Sequence, residues 1–516
     1  MRSIDGRADV SREVDEERTP VVVASGQAVA RGPGDHDLVT PVDLMARAVE
    51  AALADAPGLR SRVQRVSVVD IMSRTGPAPA SELAARCGLR PERVERTTIG
   101  GNSPQWLLTR AAADIASGRL GTSVIAGAEA LRSQRARRAV GVEPVATGDG
   151  EPDPVVGDDQ PGIGPGEAAI GLVLPVNVYP MLESAVAARA GRSTVAHREV
   201  LGRLFAPFTE VAAGNPYAWF RDTLTADEIA TPSPENRVVS EPYTKRMAAF
   251  LGSDQAAALV VCSLAEARRA GVADRAVFVW AGADATDVRA VSARPDPATS
   301  PAIAVAGRAL FAAATEAAGR AVSVDDVAAL DLYSCFPVAV ELACDALGVA
   351  TDDQRGLTLT GGLPYFGGPG NNYTTHGIAE VTDRVRARGG MGLASGLGWF
   401  VTKHSLGLYA SEPPTGGFRR GDTSAGQAAI DASAADVPLE VPEPAVATVV
   451  AATVARDRDG QPTAAPVVAR LADGRQVAAA AGPGALAAAG ELDVARLVGE
   501  QVMVAGGPPA WSLPSP

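Results

Sequence analysis

Gly118-Arg119-Leu120-Gly121-Thr122-Ser123-Val124-Ile125-Ala126-Gly127-Ala128-Glu129 is the stretch that decides the architecture. Gly118 closes a helix reaching back to about Pro104, because glycine readily takes the left-handed backbone at a helix C-terminus. Ser123 to Gly127 is an uncharged run of small and β-branched residues, the pattern of a strand buried on both faces. Helices handed to buried strands imply a layered α/β body.

The alternation extends both ways. Upstream, Val21 to Ala24 reads as a buried strand ending at Ser25-Gly26, and Pro41 opens a helix over Val42 to Ala54. Arg65 to Met72 reads as a strand and Ala80 to Arg86 as a helix ending near Gly88. Downstream the rhythm breaks at Gln134. Gly, Pro and Asp crowd Gly148 to Gly166, and short helical pieces such as Arg198 to Phe205 follow. It resumes at Lys245 with an apolar run, Gln255 to Ser263, that fits helix or strand. Next come a helix (Leu264 to Ala270) and a strand (Ala276 to Trp280). A second α/β unit has helices at Ile303 to Ala318, Val338 to Leu347 and Gly377 to Ala387. Its strands are Ala328 to Leu332, Gly392 to Ser395 and Trp399 to Lys403.

The tail changes character. Strand candidates at Thr448 to Arg456, Val467 to Leu471, Val477 to Ala481 and Gln501 to Val504 are punctuated by Asp-Gly turns, with a short helix at Leu492 to Val498. The expected organisation is an arm, disordered or loosely attached (1–18), a first α/β half (19–133 and 245–285), an inserted segment (134–244), a second half (286–414), a linker (415–436) and a small all-β barrel of OB-like type (437–516).

Composition narrows the function classes. The chain has 516 residues, 46% of them hydrophobic and 21% charged, so it is an ordinary globular chain with length for several domains. A net charge of −13 argues against whole-surface attraction to nucleic acid or anionic membranes. Trp511 is the only aromatic in the tail, which also argues against nucleic-acid binding by the barrel. Lys245 and Lys403 are the only lysines among 47 basic residues; compositional bias toward arginine is the simplest reading, and it makes any phosphate-binding cation an arginine by default. Cys87, Cys262, Cys335 and Cys344 include no Cys-x-x-Cys pair, and neither they nor His36, His197, His376 and His404 have metal-ligand spacing, so no metal is expected. Met1 to Arg18 lacks the apolar run of a signal peptide, and no apolar stretch of ~20 residues follows, so a cytoplasmic location without a membrane span is expected.

Four groups of residues together resemble the thiolase superfamily: Thr19 to Val23; Gly118 with Ala126-Gly127-Ala128-Glu129; Gly361-Gly362 with Gly367-Gly368-Pro369; and Gly392 to Gly398. The resemblance spans about residues 19–412. It implies a five-layer α-β-α-β-α core of two similar halves, with a loop domain inserted in the first half; the segment 134–244 sits where that insertion belongs. By resemblance the chain would be labelled an acetyl-CoA acetyltransferase of lipid metabolism, an acyltransferase acting on acyl-CoA. The positions this implies for its chemistry contradict that label. The nucleophilic cysteine falls on Gly101, the histidine base on Gly368, the second cysteine on Leu393, and the water-positioning asparagine on Tyr333. No Cys or His lies between Arg96 and Glu129. Without a thiolate there is no thioester intermediate, so ordinary condensation or thiolysis is not expected.

Several residues are candidates to replace the missing groups. Tyr333 either transfers a proton or fills vacated space; its placement resembles the retro-aldolases and lipid-transfer-protein-like thiolases that also lack the cysteine. Tyr373 and His376 complete an acid/base set for that reading. Cys335 with His376 is a second nucleophilic option, against the plainer reading of a buried thiol as a small hydrophobe. Ser103, the hydroxyl nearest the vacated nucleophile position, is read first as a helix cap rather than as a nucleophile, and with Asn102 it is a candidate to contact the coenzyme A ligand, as are Asn371 and Asn372. Asn371 and Asn372 either line an oxyanion site or shape a turn. His404 faces a pocket or, as favoured, satisfies a core carbonyl. Lys245 and Arg246 either hold coenzyme A phosphates or form a solvated pair.

The expected ligand is coenzyme A or an acyl-CoA thioester, with no covalently bound cofactor. Three functions follow: an acyl-CoA-binding protein without cysteine chemistry; a retro-aldolase or other lyase on a β-hydroxyacyl-CoA through Tyr333 and His376; and a scaffold or carrier that meets a protein partner through its barrel. The chain is a homodimer or a monomer.

Overall fold

The computed structural model describes residues 14–31, 38–73, 75–142 and 150–513. Most of the expected arm (1–18) and the Gly148-Asp149 end of the Gly/Pro/Asp-rich stretch lie outside them. The described end of the arm is docked: Glu16–Arg18 forms a 3-10 turn, and Arg268 reaches Glu16 at 2.7 Å.

The first half runs β1 (Pro20–Val29), α1 (Pro41–Asp55), β2 (Arg65–Val68), α2 (Pro79–Arg86), β3 (Arg93–Thr97), α3 (Ser103–Ala116) and β4 (Thr122–Ala130). An insertion follows: α4 (Leu131–Ala139), β5 (Val155–Val156), α5 (Pro165–Ala169), α6 (Pro175–Arg189), α7 (Thr194–Gly214), α8 (Ala226–Ala230), β6 (Val238–Ser240) and β7 (Tyr243–Thr244). Then come β8 (Asp254–Ser263), α9 (Leu264–Arg269), β9 (Val277–Thr286), α10 (Pro301–Ala318), β10 (Val327–Asp331), α11 (Pro337–Leu347), α12 (Tyr373–Arg388), β11 (Met391–Gly398), β12 (Lys403–Ala410), β13 (Arg419–Arg420) and α13 (Ser424–Ala432). The chain ends with β14 (Val441–Ala452), β15 (Ala455–Arg456), β16 (Pro462–Ala464), β17 (Val467–Leu471), β18 (Gln476–Ala481), α14 (Pro483–Ala488), α15 (Val494–Leu497), β19 (Gln501–Gly506) and β20 (Ala510–Ser512).

Eleven strands make one mixed sheet, ordered β10-β11-β12-β9-β1-β8-β4-β2-β3-β5 with β13 on β9. Its two halves join where Val21 and Val22 pair with Phe278 and Val277. Helices α3 and α12 pack on each other and on strands of both halves, while α1 covers β1, β8 and β4, and α10 covers β9 and β12. Every residue of β4, β8, β11 and β12 is buried, as expected of strands between helix layers. This is the α/β body the sequence called for.

Several expected boundaries move, each for a visible reason. β1 does not end at Ser25-Gly26 but continues to Val29; a Cβ on Gly26 would stand 2.0 Å from the Ala48 carbonyl, so this glycine admits α1 rather than ending the strand. The strand from Arg65 stops at Val68, short of Met72. Trp399 to Thr402 is not a strand but a turn, with Trp399 and Val401 in left-handed conformation (φ 57° and 53°), and the strand starts only at Lys403. The stretch read as a linker carries β13 and α13. Gly421 and Gly426 serve close packing, since a Cβ on Gly421 would lie 2.7 Å from the Ala309 backbone and one on Gly426 would lie 2.6 Å from Val305. β14 begins at Val441 rather than Thr448.

The tail closes a five-stranded barrel, β14-β17-β18-β20-β19. Trp511, beside Pro508 and Pro509, is part of that barrel. It lies on β20, 1% exposed in the barrel core, and its Nε1–H donates to the Ala465 carbonyl at 2.7 Å. The barrel is anchored to the insertion. β15 and β16 extend a second sheet, β16-β15-β6-β7. Glu241 accepts from Arg456 at 3.0 Å and pairs with buried Arg198, while Thr453 Oγ1 donates to the Glu241 carbonyl at 2.8 Å.

Candidate functional site

The motifs behind the thiolase resemblance meet at the centre of the body. Glu129, at the end of β4, accepts the Met72 and Ser73 amides at 2.6 and 2.7 Å. Burial pushes its carboxyl up to about 7 despite those bonds. Gly370, in the turn after Gly367-Gly368-Pro369, lies against it; a Cβ there would stand 2.4 Å from Glu129 Oε1. Asn372 Nδ2 donates to the Gly127 carbonyl at 2.6 Å and its Oδ1 accepts from Thr375. Asn371 Oδ1 accepts the Gly100 amide at 3.0 Å, and its Nδ2 donates to the Asp70 carbonyl at 3.1 Å. Both asparagines are therefore committed to bridging the two halves.

Gly101 lies just before α3, where a helix N-terminus would lower a thiol pKa. The space is occupied. A Cβ on Gly101 would stand 2.4 Å from both Tyr333 Oη and the Leu397 carbonyl, and 2.9 Å from Tyr333 Cζ. The residual void bordered by Tyr333, Ser395, Leu397 and His404 holds only about 10 Å³. At Gly368 a Cβ would lie 3.0 Å from the Phe250 carbonyl, so the 250–251 chain runs where a histidine would project. Leu393 is fully buried in the core.

The replacement candidates are brought together only in part. Tyr333 and Tyr373 pack edge to face, 5.3 Å between centroids. Burial holds both phenols well above their ordinary pKa. Tyr373 Oη is engaged by Thr360 Oγ1 at 2.5 Å and Ser334 Oγ at 3.2 Å. His376, expected at a helix start, sits within the first turn of α12 with no exposure. Its Nδ1–H donates to Gln27 Oε1 at 2.6 Å, and Gln27 is oriented by its own bond to Glu380. Nε2 has no hydrogen-bond partner, and burial drives the imidazole pKa down to about 3. Cys335 is buried, its thiol pushed up to about 12. Ser103 Oγ donates to the Thr98 carbonyl at 3.3 Å, and Ser103 is the first residue of α3 rather than its cap. Asn102 Nδ2 donates to Ser405.

Lys245 and Arg246 border a groove of about 390 Å³ floored by Phe220, Leu224, Phe250 and Tyr365. Arg246 Nη1 donates to the Glu228 carbonyl at 2.7 Å, and Lys245 is exposed. Tyr365 Oη is buried without a partner beside this groove. Phe250 links it to Gly368, so the groove adjoins the closed centre.

Of the two alternatives for His404 the structure supports the pocket rather than the favoured core carbonyl, and a second feature escaped the sequence. His404 meets the Asp287 carboxylate at 3.3 Å, not a core carbonyl. It borders a second cavity, about 600 Å³, with Asn102, Ser103 and Lys403. Under the insertion, ligand atoms of Glu183, His197 and Glu341 converge within 4.8 Å. Arg192 faces His197 Nδ1 at 3.4 Å as a donor, which leaves the proton on Nε2 to bond Glu183 at 2.7 Å. That tautomer makes the cluster a hydrogen-bonded set. Its residues are spread across three helices, so no spacing announced it.

Comparison with known proteins bears on the fold. No protein-family model matches the chain, and no curated protein does. Among solved structures, a monomeric SCP2-thiolase-like protein type 1 from Mycobacterium smegmatis matches at 30% identity over 96% of this chain and 100% of that one, with a TM-score of 0.80. An Ltp2–ChsH2(DUF35) aldolase matches at 19% identity over 76% of this chain and 98% of its own, TM-score 0.55, a likeness of fold. The fold and the paired halves define a thiolase-like protein. More closely, the chain belongs to the SCP2-thiolase-like proteins. Among the described residues no helix is long and apolar enough to cross a membrane.

Proposed function

We propose that this protein binds an acyl-CoA thioester in the groove under Lys245 and Arg246 and carries out no cysteine-dependent condensation or thiolysis. The groove carries the reading: it sets Lys245 and Arg246, the candidate phosphate contacts, beside an apolar floor with Asp222 and Glu235 also on its rim, and it adjoins the closed centre through Phe250. The filled space at Gly101 supports the absence of acyl transfer. The lyase reading has less support, because His376 is turned to Gln27 and Tyr373 to Thr360 and Ser334. For the scaffold reading, one face of the barrel is already spent on the insertion. A monomer is favoured over a dimer by the likeness to a monomeric SCP2-thiolase-like protein.

The test is calorimetric titration with coenzyme A, acetyl-CoA and a long-chain acyl-CoA. Binding should weaken about tenfold, about 1.4 kcal/mol, in Lys245→Ala/Arg246→Ala. Equal affinity in the double variant, or no binding of any of the three, overturns the proposal.

A further inference from the structure

We propose that the 600 Å³ cavity beside the start of α3 is a carbonyl-binding site, in which the Lys403 amine condenses with a small hydroxylated aldehyde or ketone to form an imine. The cavity shares no residue with the Lys245/Arg246 groove.

Four observations converge on Lys403. It is one of two lysines in a chain whose other basic residues are all arginine. An arginine cannot form an imine under these conditions, whereas a lysine amine can. It is 4% exposed yet borders a cavity of ligand size. Its ammonium lacks a close ion pair: Nζ donates to the main-chain carbonyls of Asp158 and Ile99, while the Asp158 carboxylate lies 3.8 Å away and is drawn to Arg289 at 2.6 Å. Burial lowers the amine pKa, which raises the neutral fraction.

The walls define the ligand. Asn102 Oδ1, buried without a partner, Asp431 and His404 offer polar groups suited to hydroxyls, while Gln427 is held by Thr286 and Asp431. Asp158, Asp284, Asp287 and Asp431 outnumber Lys403 and Arg289, which disfavours a phosphorylated ligand. His404, held by Asp287, borders the same space.

The step balances without a further reactant. The neutral amine attacks the carbonyl carbon and the C–N bond forms. The carbonyl π pair moves to oxygen, which takes a proton while nitrogen loses one. The carbinolamine hydroxyl is then protonated and leaves as water as the nitrogen lone pair forms C=N, and the resulting iminium gives up its N–H proton, returning the one that was taken. Aldehyde and amine give imine and water.

Reductive trapping tests this on the whole protein. It is incubated with glyceraldehyde and cyanoborohydride, and labelling is mapped by peptide mass. Exposed Lys245 is the internal comparison. Lys403 should label at least tenfold faster than Lys245, and Lys403→Arg should remove that label while leaving the Lys245 rate and the circular dichroism unchanged. If Lys403 only ties β12 to the loop at Asp158, Lys245 labels first and Lys403 stays unmodified. That result, or labelling of neither, overturns the proposal.

Discussion

Gly101→Ala probes the closed centre with a single methyl group. Gly101 does not take a left-handed backbone, so alanine meets no conformational penalty there. It meets contacts: 2.4 Å to Tyr333 Oη and 2.4 Å to the Leu397 carbonyl. The first yields if the tyrosine moves; the second is main chain of β11 and yields only if the strand shifts. Overpacking of this kind costs about 1–3 kcal/mol. The lower chain entropy of unfolded alanine returns about 0.4–1 kcal/mol, leaving a net loss of about 1–2 kcal/mol. Gly214→Ala is the control, since no atom lies within 4 Å of its Cβ. Denaturant unfolding should show Gly101→Ala destabilised and Gly214→Ala unchanged or slightly stabilised. Tyr333→Phe should give little relief, because Cζ would still lie at 2.9 Å. Tyr333→Ala should lower the cost of Gly101→Ala by about 1 kcal/mol, a coupling typical of residues in contact. A Gly101→Ala variant as stable as the parent would mean that the space is free, and the argument for a closed centre would fail.

Other perturbations test other parts of the account. His376 is neutral and buried in the folded state, with its pKa depressed to about 3 from 6.5, so its share of stability is intact above pH 6.5 and is lost as pH falls toward 3. Between pH 6.5 and 5 that loss is about 2 kcal/mol; His376→Gln should flatten the stability–pH curve over this window, and an unchanged slope would contradict the burial. Glu241→Ala removes the carboxylate between Arg198 and Arg456 and should cost about 3–5 kcal/mol, with faster proteolysis of the barrel junction. Trp511→Ala should cost about 3–5 kcal/mol by opening the barrel core and orphaning the Ala465 carbonyl; a near-native melting curve would deny the barrel that anchor.

The layered body was legible because buried strands and amphipathic helices write themselves into local patterns, as Ser123 to Gly127 and Pro41 to Asp55 do. What stayed hidden was set by distant packing. β3 escaped notice because Arg93-Val94-Glu95-Arg96-Thr97 is mostly charged; Glu95 is buried among partners from other segments, Arg110 at 2.7 Å and Ser67 at 2.8 Å, with Arg93 beside it at 3.1 Å. The glycines at 26 and 421 read as a strand end and a linker, yet they mark close approaches to α1 and α10. At the site, Gly101, Gly368 and Leu393 could be placed from motif spacing. Which groups fill the vacancy could not, since Tyr333, Leu397 and Phe250 reach it from three different segments. His376 illustrates the limit: its chemistry depends on Gln27, 349 positions away.

The most direct test of the central claim is the intact mass of the protein, acid-quenched after mixing with excess acetyl-CoA. An acyl-transfer thiolase traps an acyl group on cysteine, whereas this fold offers four buried thiols, none of them at the start of α3. The account predicts an unmodified mass. An added acetyl group on Cys335 or any other cysteine would contradict it and restore nucleophilic catalysis to this fold.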